Sequence, residues 1–133
     1  LSINYDKALE FYKAFNEAAP YISMTSDYAK YLFKTRKYVK TITGRKNFND
    51  GVTYRAYNYL IQGSAADQTA LALLTIYYEL GIIPNVVVHD EVNFSDSKEQ
   101  ATKVKYIMEN SVKLEIPSLT DIESGRSWGE AKG

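Results

Sequence analysis

One long helical run, and the β-branched block after it, bound the fold before anything else. From about Thr53 to Leu80 the residues sustain a helical pattern, and Gly81 is placed to end it. After Pro84 the texture changes. Val86, Val87 and Val88 are followed by His89-Asp90-Glu91 and then by Val92-Asn93-Phe94, which predicts a hairpin of two short strands around an acidic corner. Upstream, Ala8, Phe11, Tyr12, Phe15 and Ala18 recur at helical spacing, so an amphipathic helix is expected near 5–19. Pro20 suits the first turn of a second helix, which Ile22, Met24, Tyr28, Tyr31 and Leu32 carry to about Arg36. Tyr38 to Thr43 is β-prone and stops at Gly44, as a short strand or an extended turn, and Asn49-Asp50-Gly51 signals a turn. Ser97 with Gln100 predicts a capping box opening a helix whose Ala101, Val104, Ile107, Met108 and Val112 face inward. A last strand is expected around Leu119 to Ile122, before a Gly-rich tail that carries Trp128. Helices, then strands, then a helix, without regular β-α-β alternation, make an α+β fold.

At 133 residues the chain is one domain or part of one. With no Cys, disulfide scaffolds, thiolate zinc sites and Cys nucleophiles are excluded, and a single His removes most His-built metal sites. No apolar run approaches the roughly 18 residues of a membrane span, and no signal peptide is visible. Leu1 is not an initiator Met, so the chain is expected to be a piece of something longer. Tyr supplies 12 of the aromatic residues against 5 Phe and 1 Trp, either as a substitute for Phe on half-buried helix faces or as a surface for a partner.

Three stretches hold residue types that can do chemistry. The neutral total, 16 Lys+Arg against 16 Asp+Glu, hides a charge asymmetry. Between Asp27 and Asp50 lie Lys30, Lys34, Arg36, Lys37, Lys40, Arg45 and Lys46, with no acidic residue and with Tyr31, Phe33 and Tyr38 interleaved. That pattern is either a solvated face or a surface that tracks phosphates. At the second stretch, Asp90 and Glu91 cannot both face the core of a strand, because alternate side chains point to opposite faces. Two carboxylates held at a turn by apolar strands suit a divalent cation such as Mg²⁺, although acidic residues also simply favour turns. The third stretch is Asn58, Gln62 and then Gly63-Ser64-Ala65-Ala66-Asp67. Amides four apart project from one helix face and can donate to minor-groove acceptors common to every correct base pair. The small residues let something approach the helix backbone, which a close helix–helix or helix–sheet contact explains equally well.

In their joint order these stretches resemble the C-terminal portion of family A DNA polymerases, the DNA polymerase I and phage replicative type. His89-Asp90-Glu91 after an apolar strand is similar to the family's third polymerase motif, and Asn58 with Gln62-Gly63-Ser64-Ala65-Ala66-Asp67 is similar to the palm helix preceding it. Tyr38-Val39-Lys40-Thr41 followed by Gly44-Arg45 resembles the segment after the fingers. Leu114-Glu115-Ile116-Pro117, Ser124-Gly125 and Trp128 resemble the family's end. The resemblance implies a partial palm, with a small antiparallel sheet packed on helices, preceded by two helices from the base of the fingers. Residues 1–52 would hold those helices and the basic segment, and 53–133 the palm portion. The implied activity is template-directed nucleotidyl transfer with two Mg²⁺ ions. On that reading Asp90 is a metal-site carboxylate, Glu91 supports it, and His89 helps to position the primer terminus. Asn58 and Gln62 would contact the minor groove of the primer–template, and Lys40, Arg45 and Lys46 its phosphates. The partners implied are primer–template DNA, dNTP and the upstream polymerase portion, in the cytoplasm, or the host's if phage-encoded, and away from membranes.

The chain also departs from the family. A basic residue or His usually stands eight positions before this Gln; here that place is Tyr54, with Arg55 next to it. The segment between Gly44-Arg45 and the palm helix is short, as in a compact phage-like version. The family's first motif, with the other metal-binding Asp, and the fingers helix that grips the triphosphate are not in the chain; Leu1-Ser2-Ile3 resembles the residues immediately after that helix. The chain alone is therefore expected not to polymerise DNA. A non-catalytic DNA-binding accessory is the alternative, and a nuclease built on Asp90 and Glu91 lacks any further carboxylate cluster to support it.

Overall fold

The computed structural model describes residues 3–131, and Leu1 and Ser2 lie outside them. The elements in order are α1 (Tyr5–Ala18), α2 (Pro20–Thr35), β1 (Tyr38–Lys40), β2 (Lys46–Phe48), a 3₁₀ turn (Thr53–Arg55), α3 (Ala56–Leu80), β3 (Val86–Val88), β4 (Glu91–Asn93), α4 (Lys98–Asn110) and α5 (Trp128–Ala131). This is the expected α+β composition, with two small antiparallel sheets. Contacts divide the chain into two compact units at Gly63/Ser64, within α3.

In the first unit the Asn4 side chain caps α1 by accepting from the Lys7 amide at 3.0 Å. Pro20 starts α2, where its missing N–H costs nothing. The helix α2 buries Ala29 and Phe33 against Val39 of β1 and Ala56 at the start of α3, with Leu32, Tyr59 and Leu60 closing the cluster. The Phe33 and Tyr59 rings meet edge to face at 5.9 Å. Strand β1 pairs with β2 in the register Tyr38↔Phe48, Val39↔Asn47, Lys40↔Lys46. The Lys46–Phe48 strand has no apolar alternation to announce it; its partner and a turn at Gly44, whose φ is +90°, create it. Of the two readings of the tyrosines, the half-buried one fails on α1 and α2: Tyr5, Tyr12, Tyr21, Tyr28 and Tyr31 are all exposed.

In the second unit, the C-terminal part of α3 packs Ala72 and Ile76 against Ile82, Val104 and Ile107, with Leu80, Phe94 and Met108 around them. Gly81 ends α3 at φ +68°, its amide bonded back to the Tyr77 carbonyl at 3.0 Å. Strands β3 and β4 form the expected hairpin, paired Val86↔Asn93, Val87↔Val92 and Val88↔Glu91. Two expectations are corrected here. The capping box of α4 is half formed: Ser97 accepts from the Gln100 amide at 3.3 Å, but the Ser97 amide bonds the Asp96 carboxylate at 2.6 Å. Gln100 Oε1 is thereby left buried without a hydrogen-bond partner. The strand expected around Leu119 to Ile122 does not form. The Thr120 amide is taken by the Glu109 side chain at 2.8 Å rather than by a ladder, and Leu119 is exposed. Among the described residues no helix is long and apolar enough to cross a membrane.

Candidate functional site

The acidic corner is the two-residue loop of the β3–β4 hairpin. Val88↔Glu91 is its closing pair, so His89 and Asp90 occupy the loop. His89 stands at φ +56°, the left-handed conformation that short hairpin loops demand and that His tolerates better than most residues. Asp90 is exposed, and its carboxylate makes no hydrogen bond or ion pair with another described residue. Glu91 differs. Its Oε1 accepts from Asn93 Nδ2 and from the Trp128 indole Nε1, each at 2.9 Å. The neighbouring carboxylates are therefore divided, one presented to solvent and one engaged within the unit. Both line an open cleft of about 1040 Å³, together with Asn93, Lys98, Glu123 and Trp128. Among the described residues no group of three or more His, Cys, Asp or Glu stands ready to hold a metal ion. The donor set present, one free carboxylate with a second beside it, fits one side of a Mg²⁺ site, since Mg²⁺ takes one or two carboxylates and completes its shell with water and phosphate oxygens.

In the first unit Asn58 and Gln62 are both exposed, and neither side chain bonds to another described residue. Lys40 and Lys46 face each other across the β1–β2 pair, both exposed. Like charges directly opposite destabilise a hairpin, so this arrangement is costly unless an anion meets it. Lys46 Nζ lies 4.6 Å from the Tyr38 ring centroid, which holds it over the strand. Arg45 is exposed as well, but its guanidinium is engaged: Nη1 donates to Asn47 Oδ1 at 3.2 Å and Nη2 to the Gly63 carbonyl at 3.0 Å. Asn47 in turn donates to the Tyr59 carbonyl at 3.3 Å. A Cβ on Gly63 would stand 2.9 Å from Thr41 Cγ2 and 3.0 Å from Asn47 Nδ2. The helix therefore accepts a residue that costs about 1 kcal/mol relative to Ala in exchange for close contact with the hairpin.

Before α3, one carboxylate organises the turn. Asp50 Oδ2 accepts from the Tyr59 hydroxyl at 2.8 Å and from Arg55 Nη1 at 2.9 Å, while Asp50 Oδ1 accepts from the Val52 amide at 3.1 Å. The Tyr59 hydroxyl, then the Val52 amide and the Arg55 guanidinium, hold the Asp50 carboxyl below its ordinary value of 3.8. The same carboxylate raises the Arg55 pKa above its ordinary value. Arg55 is thus already engaged, and Tyr54 beside it is exposed. Sequence reasoning missed Asn47 and the Asp50–Tyr59 pair, because the partners lie 12 and 9 residues apart with no periodicity linking them.

The fold is that of part of a polymerase domain. The polymerase domain of Pol1 from M. smegmatis, solved in complex with DNA primer-template and dNTP, is similar over 98% of this chain and 27% of that one, with a TM-score of 0.86 at 24% identity. A sequence model of DNA polymerase family A matches residues 1–130, and the chain belongs to that family. It is 37% identical to a DNA-directed DNA polymerase of Pseudomonas phage M6 over 128 residues, covering 90% of this chain and 19% of the relative. It is 30% identical to DNA polymerase I of Deinococcus radiodurans over 154 residues, covering 99% of this chain and 16% of the relative. The chain thus spans less than a fifth of the length of these relatives.

Proposed function

We propose that this chain is a palm portion of a DNA-directed DNA polymerase and takes part in template-directed nucleotidyl transfer. The single observation that supports this most is the exposed, unpaired Asp90 carboxylate on a two-residue hairpin loop in a chain of this family. Asp90 would hold one side of a two-Mg²⁺ site, which when bound activates the primer 3′-hydroxyl and offsets the charge on departing pyrophosphate. Glu91, tied to Trp128 and Asn93, fixes the strand from which Asp90 projects. His89 sits in the same loop and would steady the primer terminus. Asn58 and Gln62 keep their amides free to read the minor groove of the newest base pairs. Lys40 and Lys46 meet the backbone phosphates, beside an Arg45 whose guanidinium is engaged with Asn47 and the Gly63 carbonyl.

The second carboxylate and the groups that grip the triphosphate would come from the upstream polymerase portion, the remaining partner besides primer–template DNA and dNTP. Functionally, residues 1–52 carry the fingers-base helices and the basic segment, and 53–133 the palm. Such work belongs in the cytoplasm, or in that of the host if the chain is phage-encoded.

The test is primer extension with Mg²⁺, by this chain alone and mixed with the upstream portion of a family A polymerase. Extension only in the mixture, lost in Asp90→Ala, is the expected result. Extension that survives Asp90→Ala would overturn the assignment, and DNA binding without extension in either case would make the chain a binding accessory.

A further inference from the structure

We infer that Arg45 and Asn47 are positioning residues for Asn58 and Gln62, acting through the helix backbone rather than on DNA. The inference rests on the reading of Asn58 and Gln62 as minor-groove contacts. Arg45 Nη2 donates to the Gly63 carbonyl at 3.0 Å, and Asn47 Nδ2 donates to the Tyr59 carbonyl at 3.3 Å. Tyr59 and Gly63 are four residues apart, so their carbonyls lie one above the other along α3. Each immediately follows one of the two exposed amides, Asn58 before Tyr59 and Gln62 before Gly63. The two donors are themselves joined, because Arg45 Nη1 donates to Asn47 Oδ1 at 3.2 Å.

A helix carbonyl has two lone pairs and spends one on the amide four residues on, so a second donor can hold it without breaking the helix. The hairpin thereby grips the helix at two consecutive turns. A grip at one turn would leave the helix free to pivot about that single contact; a second grip one turn along the same face fixes the tilt of the turn that presents the amides. Gly63 makes the approach possible, since a Cβ there would meet Thr41, Asn47 and Arg45 at 2.9, 3.0 and 3.4 Å. Thr41 is buried at this contact, with 5% of its surface exposed. Arg45 is exposed, as Lys40 and Lys46 are, but both of its terminal nitrogens are committed to acceptors within the unit, which leaves it less able than the lysines to meet a phosphate.

The experiment compares Arg45→Gln and Asn47→Asp in the full chain. Asn47→Asp removes the donor to Tyr59 and keeps the acceptor for Arg45, so it tests the grip if Arg45→Gln fails to fold. The first readout is the side-chain NH₂ resonances of Asn58 and Gln62. Both variants are expected to shift and broaden them while far-UV circular dichroism stays that of the parent. The second readout is the binding of duplex DNA with a paired or a mismatched primer terminus. Preference for the paired end should fall at least about fivefold, the lower end of what one base-edge contact discriminates. The slope of log K against log salt should not change in Arg45→Gln. Undisturbed Asn58 and Gln62 resonances in both variants would overturn the inference. So would a salt slope reduced by about one in Arg45→Gln, the signature of a lost phosphate contact. Asn58→Ala and Gln62→Ala serve as references. If neither alters the preference for a paired end while the resonances still respond to Asn47→Asp, the minor-groove reading fails and the grip stands.

Discussion

The Trp128 indole donates to Glu91 Oε1 at 2.9 Å across 37 residues of chain, tying the last helical turn of the described chain to the strand after the acidic loop. The carboxylate beside Asp90 is therefore engaged, and the division of labour between Asp90 and Glu91 rests on that bond. Trp128→Phe keeps much of the ring and removes the donor. A hydrogen bond to a charged acceptor contributes about 1.5–3 kcal/mol when well made, and the half-exposed indole places this one near about 1 kcal/mol. Urea denaturation should show that loss, and a variant as stable as the parent would remove the bond from the account.

Gly63→Ala sets two effects of opposite sign against each other. Replacing Gly by Ala in a helix interior stabilises by about 1 kcal/mol. The added Cβ, however, would stand 2.9 Å from Thr41 Cγ2 and 3.0 Å from Asn47 Nδ2, and forcing such contacts costs about 1–3 kcal/mol. The neighbouring Thr41 is buried and cannot swing away, so the clash wins and the melting temperature falls. A higher melting temperature would mean that the hairpin yields.

Asp50 gives the first unit an acid-sensitive turn. Its carboxyl is held below 3.8 by the Tyr59 hydroxyl first and the Val52 amide next, so the folded state favours the ionised form. That stability is fully present above pH 3.8, the unfolded value, and disappears as pH falls through the lower folded value. Glu99, lowered from 4.5 by Lys103, acts in the same direction in the other unit. Denaturation series between pH 7 and pH 2 should show a shallower acid loss in Asp50→Asn than in the parent. Parallel curves would mean that Asp50 titrates alike folded and unfolded.

Lys40 and Lys46 form a like-charged cross-strand pair. In Lys40→Gln the repulsion disappears while Lys46 keeps its contact with the Tyr38 ring, and the hairpin should gain a few tenths of a kcal/mol. Duplex DNA binding should weaken in the same variant, with a salt slope smaller by about one. Opposite signs for stability and binding are the mark of a charge kept for a partner. If binding and slope stay unchanged, Lys40 is solvated surface.

Local signals made most of the elements legible, because each carries its own punctuation. Pro20 opens α2, Gly81 closes α3, and the Val86–Val88 block with His89-Asp90 makes the hairpin. The strand at Lys46–Phe48 was not legible, since Lys-Asn-Phe has no strand pattern and exists because Tyr38–Lys40 pairs with it. The apolar Leu119 to Ile122 stretch looked like a strand, yet the Glu109 side chain takes its Thr120 amide and no ladder forms. In the candidate site, the residue types of Asp90, Asn58 and Gln62 could be read directly. The engagement of the Arg45 guanidinium could not, because a charge run says nothing of where each guanidinium finds its acceptors.

His89 separates folding from function most cleanly. At φ +56° it holds a conformation that Gly adopts without penalty and that a β-branched residue resists. His89→Gly should therefore leave stability within about 1 kcal/mol of the parent, and His89→Val should lower it by about 1–2 kcal/mol. If the imidazole serves only the turn, His89→Gly in the assembled polymerase extends primers as the parent does. If it steadies the primer terminus, as proposed, the glycine variant keeps its fold and loses extension rate on a paired terminus. Measuring melting temperature and single-nucleotide extension on that one variant decides between the two, because the backbone requirement is met in both cases and only the ring has gone.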